Sequence, residues 1–222
     1  MRPLNKFLAR SPAAARGAPF LIFLALTVCQ GKFGAASAYW FYFAKTIVGV
    51  WLVWEMKPFV SEMRWAFSWE AMVVGVGIFA VWVGLDPFYP HLMKTGAAWN
   101  PDETFGENSA LAWLMIGTRI IGSTFVVPPL EEVFYRSFLY RYVANQNFLS
   151  VPLNRFLPFP FFATAIVFGF SHNEWLAGIL CGAAYQWLVI RKNRLGDAMT
   201  AHAITNFLLG AWIVWKHAWH FW

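Results

Sequence analysis

The chain has 222 residues, of which 59% are hydrophobic and 13% are charged, and its formal net charge is +6. This composition lies outside the range of soluble globular domains and predicts an integral membrane protein. The basic residues are scattered between apolar runs without a recognition motif, which argues against nucleic acid and favours anionic membrane lipids as partners. Cys29 and Cys181 both lie within apolar stretches, so they indicate neither a disulfide framework nor a metal cluster.

Eight apolar stretches follow one another along the chain. They are predicted to be helices, because they lack period-two alternation and a strand outside a closed barrel would leave backbone groups unpaired in lipid. The stretches are Ala18–Gln30, Ala38–Met56, Ala71–Leu85, Ala110–Val127, Leu130–Val143, Phe159–Phe170, Trp175–Ile190 and Ala198–Trp215. The fold class is therefore all-α, a multi-pass transmembrane bundle of about eight helices. Several stretches are shorter than the roughly 20 residues of a full span, so we expect some helices to line a cavity.

The first stretch follows a basic segment, which is the layout of a secretory signal peptide. No cleavage site follows it directly, and Val28 stands where a lipoprotein signal needs a small residue before Cys29. We expect an uncleaved first span. The polar segment from Asp86 to Asn108 is rich in Pro and Gly, which argues against a regular helix and indicates a lid or a surface loop.

The orientation of eight spans can be tested by counting Lys and Arg in the loops. With the N-terminus inside, seven lie inside, namely Arg2, Lys6, Arg10, Arg16, Lys57, Arg64 and Lys216. Six lie outside, namely Lys32, Lys94, Arg155, Arg191, Lys192 and Arg194. This near tie indicates either that the span count is wrong by one or that the sequence does not determine the topology.

Three charged residues lie in the segment VVPPLEEVFYR, where a charge in a transmembrane helix costs roughly 2.5–3.5 kcal/mol. Pro128 and Pro129 suit a helix start, which would place Glu131 and Glu132 in the first turn, close to the positive end of the helix dipole. Glu132 and Arg136 are four residues apart and predict an intrahelical ion pair. Glu131 is rotated about 100° from Glu132 and is left without that partner.

Three more polar groups occur in apolar surroundings. His172 ends the segment FGFSH, and His202 and Asn206 are four residues apart on one face of the last predicted helix. Together with Glu131, these groups suffice for peptide hydrolysis by an activated water. In that scheme Glu131 takes a proton from water, His172 orients the water or donates to the leaving amine, and His202 with Asn206 stabilises the oxyanion. We expect all four to converge on one cavity.

The segments EEVFYR, FGFSH and HAITN resemble the EExxxR, FxxxH and HxxxN motifs of the CAAX prenyl protease and bacteriocin-processing family, in the same order. The resemblance runs from about Val127 to Gly210. It implies a helical bundle with a water-filled catalytic cavity, and it gives Glu131, His172, His202 and Asn206 catalytic roles, with Glu132 and Arg136 supporting the site. It implies an intramembrane endopeptidase that acts on a membrane-associated protein or peptide. Because no metal-ligand set and no nucleophile motif is complete in the sequence, we expect catalysis without a cofactor or metal.

Within that family the compact, Trp-rich chain is more similar to the bacterial members, some of which are associated with exosortase systems, and this places it in a bacterial inner membrane. One integrated membrane domain is expected, with N-terminal helices and the polar loop in residues 1–109 and the catalytic helices in residues 110–222.

Other classes stay open at this point. Ser171 beside His172 resembles a serine intramembrane site without its glycine, and LGDA resembles an aspartyl motif in which Arg194 replaces the first glycine. No HExxH zinc motif occurs, although Glu131, His172 and His202 could in principle hold a divalent ion. A non-enzymatic membrane scaffold, an immunity-type protein or a transporter with a polar cavity is the alternative from a different functional class.

Overall fold

The computed structural model describes residues 3–34, 36–92 and 99–222. Within these residues the chain is helical throughout, as the composition predicts. The nine helices are α1 (Pro3–Leu8), α2 (Pro12–Val28), α3 (Ser37–Met56), α4 (Trp69–Gly84), α5 (Pro101–Phe105), α6 (Ala110–Ala144), α7 (Pro158–Gly169), α8 (Trp175–Lys192) and α9 (Gly196–Lys216). Helices α6 and α9 are long and apolar enough to cross a membrane, whereas α2, α4 and α7 are shorter apolar helices.

Side chains at the helix starts explain several of these boundaries. The hydroxyl oxygens of Ser11, Ser68 and Ser109 accept hydrogen bonds from backbone N–H groups three residues later, at 3.0, 3.2 and 3.1 Å. Such caps satisfy N–H groups that have no partner inside the helix. The cap at Ser11 explains why α2 begins before the first predicted apolar stretch. The polar segment that was predicted to be irregular contains the short helix α5, and its residues 93–98 lie outside the described residues.

The fourth and fifth predicted stretches form the single helix α6, so the prediction that Pro128 begins a new helix is wrong. A π-helical turn, Gly122–Val126, comes directly before the prolines, and the Val127 N–H bonds to the Gly122 carbonyl oxygen. A proline in a regular α-helix lacks one hydrogen bond and its ring meets the carbonyl four residues back. The wider turn accommodates both rings without ending the helix. A second π-helical turn, Val133–Leu139, follows the two glutamates.

Contacts between loops define two ends of the helical bundle. At the first, the Glu62 end, the carboxylate of Glu62 accepts hydrogen bonds from Arg16 at the start of α2 and from Arg141 at the end of α6. The same end holds Ser68, whose hydroxyl donates to Asp197 at the start of α9, at 2.5 Å. The Glu62 end therefore gathers the starts of α2, α4 and α9 and the end of α6.

The second end, the Glu174 end, gathers the opposite termini. The Tyr39 hydroxyl near the start of α3 donates to the Asn100 carbonyl at 2.8 Å. The Leu92 N–H after α4 donates to the Asn173 carbonyl, in the turn between α7 and α8, at 3.0 Å. Beyond α9, the rings of Trp222 and Trp99 lie 5.3 Å apart. Helices α4 and α7 therefore both end at the Glu174 end.

Small residues allow close approach of the helices that carry the motifs. A Cβ atom on Gly75 of α4 would lie 2.7 Å from the Ala201 carbonyl oxygen of α9. A Cβ atom on Gly178 of α8 would lie 2.8 Å from the Gly169 Cα atom of α7. Close contacts through small residues are the usual way in which helices pack in a membrane. They bring the backbones of α4, α7, α8 and α9 together around the polar residues.

Candidate active site

Glu132 of α6 is fully buried and contacts two different side chains. Its Oε2 atom lies 3.1 Å from Nε of Arg136, which is the ion pair that the i,i+4 spacing predicts. Its Oε1 atom lies 2.8 Å from Nδ1 of His202 on α9, within hydrogen-bond distance. Among the described residues neither Oε2 nor Nε has an aligned hydrogen bond, so the contact with Arg136 is ionic, whereas the contact with His202 is a hydrogen bond. Glu132 thus connects α6 to α9.

Arg136 is buried against the FxxxH segment. Its guanidinium carbon lies 4.3 Å from the centre of the Phe168 ring, which is a cation–π contact between α6 and α7. One of its N–H groups donates to the Gly182 carbonyl of α8 over a long 3.4 Å. Arg136 therefore holds α7 and α8 against the helix that carries both glutamates.

The imidazole of His202 has a defined tautomer. A carboxylate only accepts hydrogen bonds, so the contact with Glu132 requires a proton on Nδ1. The ring stacks on Tyr185 with 5.2 Å between the centroids, and the Tyr185 hydroxyl donates to Thr205 Oγ1 at 2.7 Å. Nε2 is the atom of His202 that remains for a ligand or a second proton.

His172 lies in the turn between α7 and α8, where α7 ends at Gly169. Its Nδ1 atom lies 2.9 Å from the Phe168 carbonyl oxygen and 3.1 Å from Ser171 Oγ. Because a carbonyl oxygen only accepts, Nδ1 carries the proton and Nε2 has the lone pair. The ring packs between Phe168 and Trp82, at centroid distances of 4.8 and 5.6 Å. Aromatic packing and the backbone contact together fix its orientation.

His172, His202 and Asn206 line one cavity of about 130 Å³. The other residues in its wall include Trp82, Glu174, Cys181 and Thr205. Three of the four predicted catalytic side chains, from the α7–α8 turn and from α9, are thus brought together. Polar groups that are far apart in sequence therefore line one space in the bundle.

Glu131 is the fourth predicted residue, and it does not belong to the lining of this cavity. It lies in the middle of α6 rather than in a first turn, so the helix-dipole argument for its position was wrong. Its Oε2 atom is buried and has no hydrogen-bond partner among the described residues. A buried carboxylate oxygen without a partner is uncommon and calls for an explanation.

Asn206 makes a contact that the motif alone does not predict. Its Nδ2 atom donates to the Ser123 carbonyl oxygen of α6 at 2.9 Å. Inside the helix that carbonyl has lost its usual donors, because the Val127 N–H bonds to Gly122 and Pro128 has no N–H. Asn206 therefore satisfies a backbone acceptor that the π-helical turn leaves free, and it keeps a second N–H for the cavity.

Tyr135 is a site neighbour that sequence reasoning missed. It is buried one helical turn after Glu131, and its ring lies edge to face with that of Phe168, with 5.0 Å between the centroids. It thus links the helix of the glutamates to α7, just before the turn of the histidine. The i,i+4 spacing from Glu131 was the available signal.

Two further cations lie at membrane depth. Lys45 donates to Thr27 Oγ1 at 3.1 Å and lies 4.5 Å from the centre of the Tyr42 ring. The Arg119 guanidinium carbon lies over the rings of Tyr42, Trp99 and Trp222, at 5.0, 4.4 and 5.1 Å from the centroids. Cation–π contacts of this kind stabilise a charge away from water. Both cations share Tyr42, and Lys45 interacts electrostatically with Glu131.

Comparison with known protein families gives one match. Residues 112–208, a little under half of the chain, match the family model of the type II CAAX prenyl endopeptidase Rce1-like proteins. This segment belongs to the Rce1-like family. The matched residues include all six positions predicted from the motifs, and the Rce1-like family is one of membrane-embedded peptidases. No curated protein and no solved structure matches the chain.

The matched segment contains α7, α8, most of α6 and the first 13 residues of α9, so the family match covers most of the cavity wall but not Trp82, Leu209 or Phe221. Among the described residues, no group of three or more His, Cys, Asp or Glu side chains is arranged to hold a metal ion. The motif side chains of this segment that could take part in a reaction are carboxylates, imidazoles and an amide.

Proposed function

We propose that this Rce1-like protein is an intramembrane endopeptidase that hydrolyses a peptide bond of a membrane-associated protein or peptide with a water activated by Glu131 and His172. The observation that carries the proposal is the shared cavity of His172, His202 and Asn206, which lie on separate parts of the chain. The free oxygen of Glu131 supports it, because a general base needs an oxygen that is not already occupied.

The tautomer of His172 favours different roles for His172 and Glu131. With Nδ1 protonated, His172 accepts a hydrogen bond from the water through Nε2 and orients it. Glu131 takes a proton from that water as the oxygen bonds to the carbonyl carbon of the substrate. The C–N bond then breaks, and Glu131 returns the proton to the leaving amine, which yields a new carboxyl group and a new amino group.

The negative oxygen of the intermediate needs donors. The second N–H of the Asn206 amide is one. His202 donates through Nε2 only when its ring is doubly protonated, and the Glu132 carboxylate at 2.8 Å stabilises that imidazolium ion. Glu132 is thus proposed as a positioning residue, with Arg136 balancing its second oxygen.

Substrate trapping tests the proposal directly. Membranes that contain the wild type or Glu131→Gln are compared by proteomics for a precursor that accumulates only with the variant. Glu107→Gln, an exposed glutamate away from the cavity, is the matched control. Purified protein is then incubated with the trapped precursor and with lipidated and unlipidated peptides that contain its cleavage site.

We expect the precursor to be cleaved by the wild type and by Glu107→Gln, and to remain intact with Glu131→Gln. A precursor that binds the purified wild type without being cut would instead support a scaffold with a polar cavity. Equal cleavage by Glu131→Gln and the wild type would remove Glu131 from the mechanism.

A further inference from the structure

Lys and Arg residues are distributed very unequally between the two ends of the bundle. Ten of those in the described residues lie at the Glu62 end: three in residues 3–16, two in 57–68, one in the last turn of α6, one in 145–157 and three in 191–194. Three lie at the Glu174 end, namely Lys32, Lys216 and Arg119, which packs on Trp99 and Trp222. Arg2 and Lys94 are outside the described residues and belong to opposite groups by sequence, so they do not alter the contrast.

Acidic residues have the opposite distribution. Asp86, Asp102, Glu103, Glu107 and Glu174 belong to the Glu174 end, where these five outnumber the three cations. The Glu62 end has four acidic residues against its ten cations. One end of the molecule is therefore strongly basic and the other is acidic.

The continuity of α6 explains why eight predicted stretches gave a near tie in the loop count. Fusing the fourth and fifth stretches removes one crossing, so every later loop moves to the opposite side. Arg155, Arg191, Lys192 and Arg194 then join the basic residues before α2 and after α3, and Lys216 moves away from them. Cytoplasmic loops carry the excess of Lys and Arg in membrane proteins.

The cavity extends from the interior of the bundle to the acidic end. Trp82, His172, Glu174 and Phe221 line it there, from the end of α4, the α7–α8 turn and the segment after α9. Helix α7 has 12 residues. At 1.5 Å per residue it is about 18 Å long, whereas the hydrocarbon core is about 30 Å thick. A helix of this length does not cross the whole hydrocarbon core.

We propose that the Glu62 end faces the cytoplasm and that the cavity opens through the Glu174 end to the opposite, extracytoplasmic face. The substrate is then a polypeptide segment that is exposed on that face or that enters the membrane from it. This statement about the substrate rests on the proposed function, whereas the orientation does not. The excess of acidic residues at the Glu174 end, with Glu174 in the cavity wall, favours a substrate segment that carries basic residues.

Cysteine labelling in intact cells tests the orientation without any need for activity. One cysteine at a time is introduced into a Cys29→Ser background, which keeps Cys181. The positions are Glu107, an exposed residue of the Glu174 end, Gln146, an exposed residue of the Glu62 end, and Ser171 beside the cavity. The background chain alone measures the reaction of the buried Cys181. Cells that contain each variant, or the background chain, are treated with a membrane-impermeant maleimide before and after permeabilisation of the membrane.

We expect Glu107→Cys and Ser171→Cys to be labelled in intact cells, and Gln146→Cys to be labelled several-fold more only after permeabilisation. The reverse pattern, or equal labelling of Glu107→Cys and Gln146→Cys, would overturn the orientation. Labelling of Glu107→Cys without Ser171→Cys would show that the cavity does not open on that face. None of these outcomes depends on cleavage, so failure of the proposed function would appear separately in the trapping experiment.

Discussion

Nδ1 of His202 lies 2.8 Å from Oε1 of Glu132, so one buried carboxylate joins the two helices that carry the EExxxR and HxxxN motifs. The other oxygen of the same carboxylate faces Arg136 at 3.1 Å. The two adjacent glutamates therefore have different surroundings: Glu132 is occupied on both oxygens, whereas Oε2 of Glu131 has no partner among the described residues. Their substitutions are expected to have different consequences.

Glu132→Gln is expected to lower stability by about 3–5 kcal/mol, because it leaves the buried Arg136 without a counter-charge. Glu131→Gln is its matched control and is expected to keep the melting temperature of the wild type while lowering kcat by about 10²–10⁴, the usual contribution of a general base. Thermal unfolding in detergent and cleavage of the trapped substrate measure the two effects. If Glu131→Gln unfolds early and Glu132→Gln melts like the wild type, the roles are reversed.

His172→Gln is expected to lower kcat by at least about 10², because it removes the Nε2 acceptor that orients the water. Ser171→Ala is the neighbouring control and should keep most of the activity, since the Phe168 carbonyl also holds Nδ1 of His172, at 2.9 Å. Cleavage rates of the two variants decide the point. Activity lost with Ser171→Ala and retained with His172→Gln would favour a serine mechanism.

Asn206→Ala is expected to lower stability by about 1–3 kcal/mol, because the Ser123 carbonyl loses its donor inside the bundle. Adding Pro128→Ala restores a backbone N–H five residues after Ser123, at the spacing of the π-helical turn, and should recover part of this loss. Pro129→Ala adds an N–H one residue further on and should not. The three melting temperatures test this contact apart from activity, and equal recovery by both proline variants would contradict it.

Stability should also depend on pH through Glu62, which lies in the loop between α3 and α4. Burial acts to raise its pKa, but hydrogen bonds from Ser137 and Arg16 and the charge of Arg16 outweigh burial and hold the pKa below the ordinary value of 4.5. A carboxyl with a depressed pKa contributes stability that is complete above the unfolded pKa and is lost as pH falls through the folded pKa.

The melting temperature of the wild type is therefore expected to fall progressively below about pH 4.5. At neutral pH the free energy of unfolding of Glu62→Gln should be lower than that of the wild type by about 3 kcal/mol, because Arg16 and Arg141 lose their counter-charge. Its melting temperature should then fall less as the pH is lowered. Glu107→Gln, at an exposed position, is the control. Parallel curves for the wild type and Glu62→Gln would show that other groups cause the acid sensitivity.

Chelators test the proposed metal-independent mechanism. The described residues contain no group of three metal-ligand side chains, and His202 Nδ1 is already bonded to Glu132. We therefore expect cleavage to continue after dialysis against a strong chelator. Loss of activity that zinc restores would instead point to a divalent ion held by Glu131, His172 and His202.

Composition and apolar runs were enough to predict an all-helical bundle, and three short motifs were enough to identify the family that their segment matches. The roles of the six site positions stay predictions. The i,i+4 rule also predicted the contact between Glu132 and Arg136. These successes have a common reason, since hydrophobicity and helical spacing are local properties of the chain.

The errors arose where non-local contacts or irregular helix geometry determine the structure. Pro128 was read as a helix start, because a π-helical turn before it has no clear signature in the sequence. That error split α6 in two, which produced both the wrong dipole argument for Glu131 and the near tie in the loop charges. The bonds of His202 with Glu132 and of Asn206 with Ser123 join distant segments, so no spacing rule could predict them.

The two π-helical turns of α6 have a consequence for how the motif is read. Each such turn contains about one residue more than an α-helical turn requires, so it rotates everything after it by about 100° about the helix axis. The segment Val127–Glu132 lies between the two turns. Deleting one residue from Gly122–Val126 would leave the letters EEVFYR unchanged and yet direct both carboxylates to another side of the helix. In this chain the direction of the two glutamates is therefore set by the number of residues that precede them as well as by the EExxxR motif itself.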